Sequence, residues 1–131
     1  MKIICDANIF LATLLNEPEK MNIISATKES VVISPNVLPY EIGNSLISLY
    51  KRKRINKTNI IKIYELFTKI PIRLVDINMK EALNISIKYN IYAYDSYYLE
   101  VAKRMQLSLL TLDKKMISIA KEISINVLEV I

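Results

Sequence analysis

The 131-residue chain contains no histidine and no tryptophan, one cysteine, Cys5, and one glycine, Gly43. Without histidine, imidazole metal sites, Ser-His-Asp triads and Cys-His pairs are excluded, and a lone cysteine rules out a disulfide framework and a thiolate zinc site. A single glycine removes the P-loop and the dinucleotide-binding fingerprint, which each need more than one. No charge-free apolar run approaches the roughly 18 residues of a membrane helix. Asp6 interrupts the first apolar stretch after Ile3, Ile4 and Cys5, so the N-terminus does not read as a signal peptide, and a cytoplasmic protein is expected. The remaining chemistry rests on carboxylates, amides, hydroxyls, Lys, Arg and Tyr.

What is present is globular in composition, 52% hydrophobic and 24% charged, and the length suits one domain over residues 1–131. Lys and Arg number 18 against 13 Asp and Glu, a net charge of +5, and the cations are densest in KRKRINK, Lys51 to Lys57. Such an excess permits binding to a polyanion without requiring it.

Five short runs rich in Ile, Leu and Val, KIIC (2–5), VVI (31–33), RLV (73–75), SLLTL (108–112) and NVLEV (126–130), have the character of strands buried on both faces. Segments of helical spacing lie between them. One begins with Ser34 as N-cap and Pro35 at the first helical position. Another pairs Asn78 with Glu81 in near capping-box spacing. Asn16, Asn56 and Asn90 are the expected left-handed helix terminators. Strands alternating with helices predict an α/β fold, with helices on both faces of a mostly parallel, about five-stranded sheet.

In such a sheet the functional crevice lies beyond the carboxyl ends of the strands. Asp6 ends the first strand and Asp113 the fourth, Asp95 opens the helix before that strand, and Glu41 sits about a turn and a half into the helix after the second. Asp6 and Asp113 are each ordinary N-caps, and Asp95 suits a first helical turn. Glu41 forms a polar stripe with Asn44, Ser45 and Ser48, which a solvated helix face would explain equally well. The joint pattern weighs more, because three of the four aspartates stand at junctions able to face one crevice, leaving Asp76 as a turn or edge residue. Gathered like charges are relieved by protonation or by a divalent cation, and oxygen-only ligation suits Mg²⁺ or Mn²⁺. A metal beside a basic surface points to phosphate chemistry.

The fragments CDANIF, YEIGNSL, YDSYYLEVAK and LLTLDKKM, in this order and spanning almost the whole chain, resemble the PIN-domain ribonucleases, specifically the single-domain VapC-type toxins of prokaryotic toxin–antitoxin pairs. The resemblance implies a three-layer α/β/α fold and a metal-dependent endoribonuclease that leaves 5′-phosphate and 3′-hydroxyl ends. It implies that Asp6, Glu41, Asp95 and Asp113 bind one or two divalent ions, Asp6 and Asp95 centrally, with Asn8, Asn44 and Thr111 supporting them. A homodimer and a small inhibitory antitoxin are the implied partners. The sequence departs from the family at Tyr92, where Ser or Thr often caps the helix, and at Ser96, where Ala often follows the acid.

Lys51, Arg52, Lys53 and Arg54 are candidates to contact RNA phosphates, although cations at a helix C-terminus are favourable in any case. Tyr89, Tyr92, Tyr94, Tyr97 and Tyr98 surround Asp95 and are candidates to stack on unpaired bases, with at least two expected in the core or an interface. A haloacid-dehalogenase-type phosphatase would need a second Asp where Asn8 stands, and a response-regulator receiver would need an adjacent acidic pair. A non-catalytic PIN-like module that binds RNA or protein, and an RNA-processing nuclease outside toxin–antitoxin function, are both compatible with the same acids.

Overall fold

Three consecutive apolar residues, Ile3, Ile4 and Cys5, are all buried, which a strand achieves only when both its faces are covered. They form β1 (Lys2–Cys5), the central strand of the sheet. The computed structural model describes residues 1–130. After β1 come α1 (Ala7–Leu14), α2 (Lys20–Thr27), β2 (Val31–Pro35), α3 (Leu38–Lys51), α4 (Lys57–Thr68) and β3 (Ile72–Val75). The second half holds α5 (Met79–Tyr89), α6 (Ala93–Met105), β4 (Ser108–Leu110), α7 (Lys114–Glu122) and β5 (Val127–Leu128).

The strand order is β3-β2-β1-β4-β5, with every pair parallel. The two-residue period of β1 divides the core. Ile3 and Cys5 pack with Phe10, Leu38, Ile42 and Phe67 beneath α1, α3 and α4, whereas Ile4 joins Ile33, Leu99, Leu109 and Met116 beneath α6 and α7. The fold is a three-layer α/β/α sandwich. Among the described residues no helix is long and apolar enough to cross a membrane.

The chain runs from β1 outward through β2 to β3, then returns to the other side of β1 for β4 and β5. That reversal makes the carboxyl ends of β1 and β4 a topological switch point, where a parallel sheet opens a crevice. The backbone N–H of Asp6 donates to the Leu110 carbonyl, so the two strand ends are tied where their acids begin.

Several local expectations are corrected. Ser34 and Pro35 do not start α3; they end β2, paired with Leu74 and Val75 of β3, and the helix begins at Leu38 after Val37, with Pro39 in its first turn. The sheet ladder takes the backbone that a cap at Ser34 would leave to the helix. Glu41 therefore lies in the first turn of α3, where a carboxylate is favoured by the helix dipole, and not a turn and a half inside. Asn56 is extended, with φ −94°, and caps the N-terminus of α4, whereas Asn16 and Asn90 are left-handed at φ 55° and 52°. Lys53, at φ 59°, makes the left-handed step after α3 that was expected of Asn56.

Candidate active site

Asp6 is the N-cap of α1, its Oδ1 accepting from the Ile9 amide at 3.1 Å, while Oδ2 accepts from the Thr111 hydroxyl at 2.5 Å. The same Thr111 oxygen accepts from the Asp113 amide at 3.1 Å. Thr111 is thus a buried clasp across the switch point, holding the acid of β1 against the start of α7. Asp113 caps α7 through Oδ1, which accepts from the amides of Lys115 and Met116. In α6 the N-cap residue Tyr92 offers no side-chain bond, so the first turn is held differently. Buried Ser96 donates to the Ala93 carbonyl at 2.8 Å and accepts from Ser86 of α5 at 2.8 Å, fixing the turn that carries Asp95.

The acids sense one another. Burial lifts the Asp6 carboxyl to about 6, against the hydrogen bonds from Thr111 and Ile9, and the charges of Asp113 and Asp95 raise it further. Burial lifts Glu41 to about 7, with the Tyr98 phenol opposing and Asp6 and Asp95 adding to the rise. Asp95 is also raised, first by burial and then by Asp113, with Lys115 pulling the other way. The four carboxyl groups are therefore near enough for their charges to act on one another. Neighbouring Cys5 is buried and its thiol is pushed up to about 12 by burial and by Asp6, which makes it inert as a nucleophile.

Among the described residues no three Asp, Glu or Cys side chains stand close enough together to hold an ion as they are arranged. The donor set nevertheless fits a hard divalent cation. It is oxygen only, its members repel one another, and Glu41 keeps a buried Oε1 with no hydrogen-bond partner.

Asp6 and Glu41 hold protons in the folded state that the unfolded chain has released, so stability falls as pH rises through the interval between the two sets of pKa values. In EDTA the melting temperature is expected to decline from about pH 4 to about pH 7 and then level. The decline should flatten in an Asp6→Asn/Glu41→Gln double variant. A wild-type melting temperature that rises over that range, or an equal slope in the variant, would contradict the assignment.

Asn8 on α1 and Asn44 on α3 are exposed and line a groove of about 510 Å³ with Ser45, Ser48, Arg52 and Leu112. The polar stripe of α3 is thus one wall of a groove whose opposite wall carries Glu17 and Glu19. Lys51, Lys53 and Arg54 are exposed about 15 Å along α3 from Glu41, on the rim of a second groove of about 930 Å³. That groove has Leu14, Leu15, Ile55, Ile63 and Leu66 in its walls, four cations including Lys62, and no acid. Among the tyrosines, Tyr98 is buried and Tyr89 packs against the core, whereas Tyr92 is 87% exposed and Tyr94 stands edge to face with Tyr97 at 5.8 Å. Two neighbours of the acids carry little signal in the sequence. Lys115 lies two residues past Asp113, a spacing too common to mark a site, and Ser34 has the local chemistry of a helix cap.

A PIN domain family model matches residues 3–122. No curated protein matches the chain significantly. Among solved structures, the chain is similar to PAE2754 from Pyrobaculum aerophilum, with 17% identity, a TM-score of 0.73, and coverage of 97% of this chain and 83% of that one. It is similar to VapBC2 from Rickettsia felis, solved bound to a DNA fragment from their promoter, with 16% identity, a TM-score of 0.68 and 98% of each chain covered. FitAcB from Neisseria gonorrhoeae follows the same fold at 14% identity, with a TM-score of 0.63 and coverage of 98% and 97%.

Proposed function

The chain belongs to the PIN domain family, and from that premise we propose that it is a metal-dependent endoribonuclease, the cytoplasmic toxin of a VapC-type toxin–antitoxin pair. The observation that supports the reading is that Asp6, Glu41 and Asp95 are each raised by burial and by other acids, Asp113 among them, as gathered carboxylates awaiting a cation would be. The likeness to VapBC2 from Rickettsia felis supports the toxin assignment.

In this reading Asp6, Glu41, Asp95 and Asp113 hold Mg²⁺ or Mn²⁺, which when bound polarises the phosphoryl oxygens and activates water. Thr111 keeps Asp6 and the first turn of α7 in fixed relation. The exposed amides of Asn8 and Asn44 are donors and acceptors for the RNA strand beside the acids, and Arg52 at the foot of the same groove offers a phosphate contact. Lys51, Lys53 and Arg54 extend that positive surface.

Partners follow from the remaining surfaces. The groove with aliphatic walls, four cations and no acid suits an acidic amphipathic helix of an antitoxin, which would compete with RNA for the same cations. Met79, Leu83 and Ile87 form an exposed apolar stripe at i, i+4 and i+8 on α5, the surface we assign to a homodimer contact.

Purified protein is expected to cleave single-stranded or structured RNA with Mg²⁺ or Mn²⁺ and to stop in EDTA. Replacing Lys51, Arg52, Lys53 and Arg54 with Gln should weaken RNA binding and flatten its dependence on salt, by a slope of up to about 0.7 for each cation that had met a phosphate. Uncleaved RNA under every ion would overturn catalysis and leave a PIN module that binds RNA or protein.

A further inference from the structure

Three buried polar atoms among the described residues have no hydrogen-bond partner: Ser34 Oγ, Glu41 Oε1 and Tyr98 Oη. They come from β2, α3 and α6, yet they adjoin one another, with the phenol set between the Glu41 carboxylate and the Ser34 hydroxyl. Ser34 is 0% exposed and Tyr98 2%, and Tyr98 stands in a core otherwise filled by Ile33, Leu99, Val101 and Leu109. A buried hydroxyl left unpaired costs about 1–3 kcal/mol. For stability alone, Phe at 98 and Ala at 34 would serve better.

Tyr98 lies one helical turn from Asp95, and Asp6 and Asp95 are the charges that act on Glu41 from the crevice. Glu41 thus stands between the other acids and a buried phenol. An ionised carboxylate only accepts, so when Glu41 is charged beside a cation the adjoining phenol is placed to donate to it, and the phenol oxygen is then free to accept from Ser34. We propose that Tyr98, backed by Ser34, is a positioning residue that holds the Glu41 carboxylate toward the crevice and sets the affinity of the acidic site for a divalent cation. The inference rests on the metal-dependent reading of that site. Partners that orient a metal-binding side chain typically matter 10- to 100-fold in metal affinity.

The test is Mn²⁺ binding to the full, RNA-free protein, measured by titration calorimetry or by the electron paramagnetic resonance of free Mn²⁺, beside thermal unfolding in EDTA. Tyr98→Phe is expected to weaken Mn²⁺ binding by about 10-fold or more. Its melting temperature in EDTA should be unchanged or higher, because in the ion-free structure the deleted hydroxyl has no partner. Ser34→Ala should weaken binding less, and the double variant should bind no worse than Tyr98→Phe, since Ser34 acts only through the phenol. Wild-type affinity in Tyr98→Phe overturns the proposal, and so does a binding loss matched by a lower melting temperature, which would mark a structural role. A wild-type protein that binds no Mn²⁺ overturns the metal-dependent reading together with it.

Discussion

Asp6→Asn is expected to leave the protein folded, to raise its stability in EDTA at pH 8, and to slow RNA cleavage by at least about 100-fold. The fold survives because Asn is as good an N-cap as Asp: its oxygen still accepts from the Ile9 amide, and its amide nitrogen can donate to the Thr111 oxygen in place of the bond Thr111 gave to Asp6. Stability rises because the folded protein prefers Asp6 protonated. A carboxyl shifted from 3.8 to about 6 opposes folding at pH 8 by on the order of 3 kcal/mol, and a neutral amide removes that opposition. Activity falls because the amide lacks the charge that draws a cation. Loss of a supporting group around a metal already costs 10- to 100-fold, and a ligand should cost no less. Melting curves in EDTA and single-turnover cleavage with Mn²⁺ decide the matter together. A variant that is inactive and less stable would mean that Asp6 serves the fold; one that is active would remove it from the site.

The strands are legible in the sequence because a buried parallel strand has little choice of residue. Ile3 and Ile4 enter different halves of the core, so both must be apolar, and the run is continuous where an exposed sheet would alternate. The acids at strand ends are legible for the same reason, since Asp6 and Asp113 follow closely on apolar residues at a known edge. Ser34 is not, because its preference for caps is local while its placement is decided by pairing with Leu74 of β3, forty residues away. The near capping box at Asn78 is half as expected: Asn78 caps Glu81, but the return bond to the Asn78 amide comes from Glu100, on another helix. Left-handed residues are legible only where they are asparagine. Glu29, Lys53, Gln106 and Ser124 also adopt positive φ, and nothing in those side chains favours it; at Lys53, Gln106 and Ser124 the backbone bonds that close the helix ends, Arg54 N–H to Leu49, Leu107 N–H to Ala102 and Ile125 N–H to Ala120, accompany it. Tyr98 reads as one of five tyrosines near Asp95. Only the packing of α6 over β1 and β2 brings its phenol to Glu41.

Arg104→Ala is expected to destabilise the protein by about 3 kcal/mol, more than Glu100→Gln at about 1 kcal/mol, even though both break the same ion pair. The pair is lopsided: Glu100 is 3% exposed and Arg104 43%. Arg104 Nε donates to Glu100 Oε1 at 2.5 Å, and one terminal nitrogen donates to Oε2 at 3.3 Å and to the Asp76 carbonyl at 2.7 Å. Without the guanidinium, a buried carboxylate keeps only the Asn78 amide, and the bond from α6 to the Asp76 carbonyl is lost. Without the carboxylate charge, the half-exposed Arg104 turns to water, and Gln still accepts from Asn78. Equal losses, or the reverse order, in chemical denaturation would show that the pair is screened as a surface pair is. Arg104 lies nine residues from Asp95 along α6, about 14 Å, so RNA cleavage per folded molecule should be unchanged in Arg104→Ala. The two substitutions then move stability and activity in opposite ways. Asp6→Asn strengthens the fold and removes catalysis, while Arg104→Ala weakens the fold and spares it, as expected if the crevice acids raise one another's pKa because they are placed for a cation.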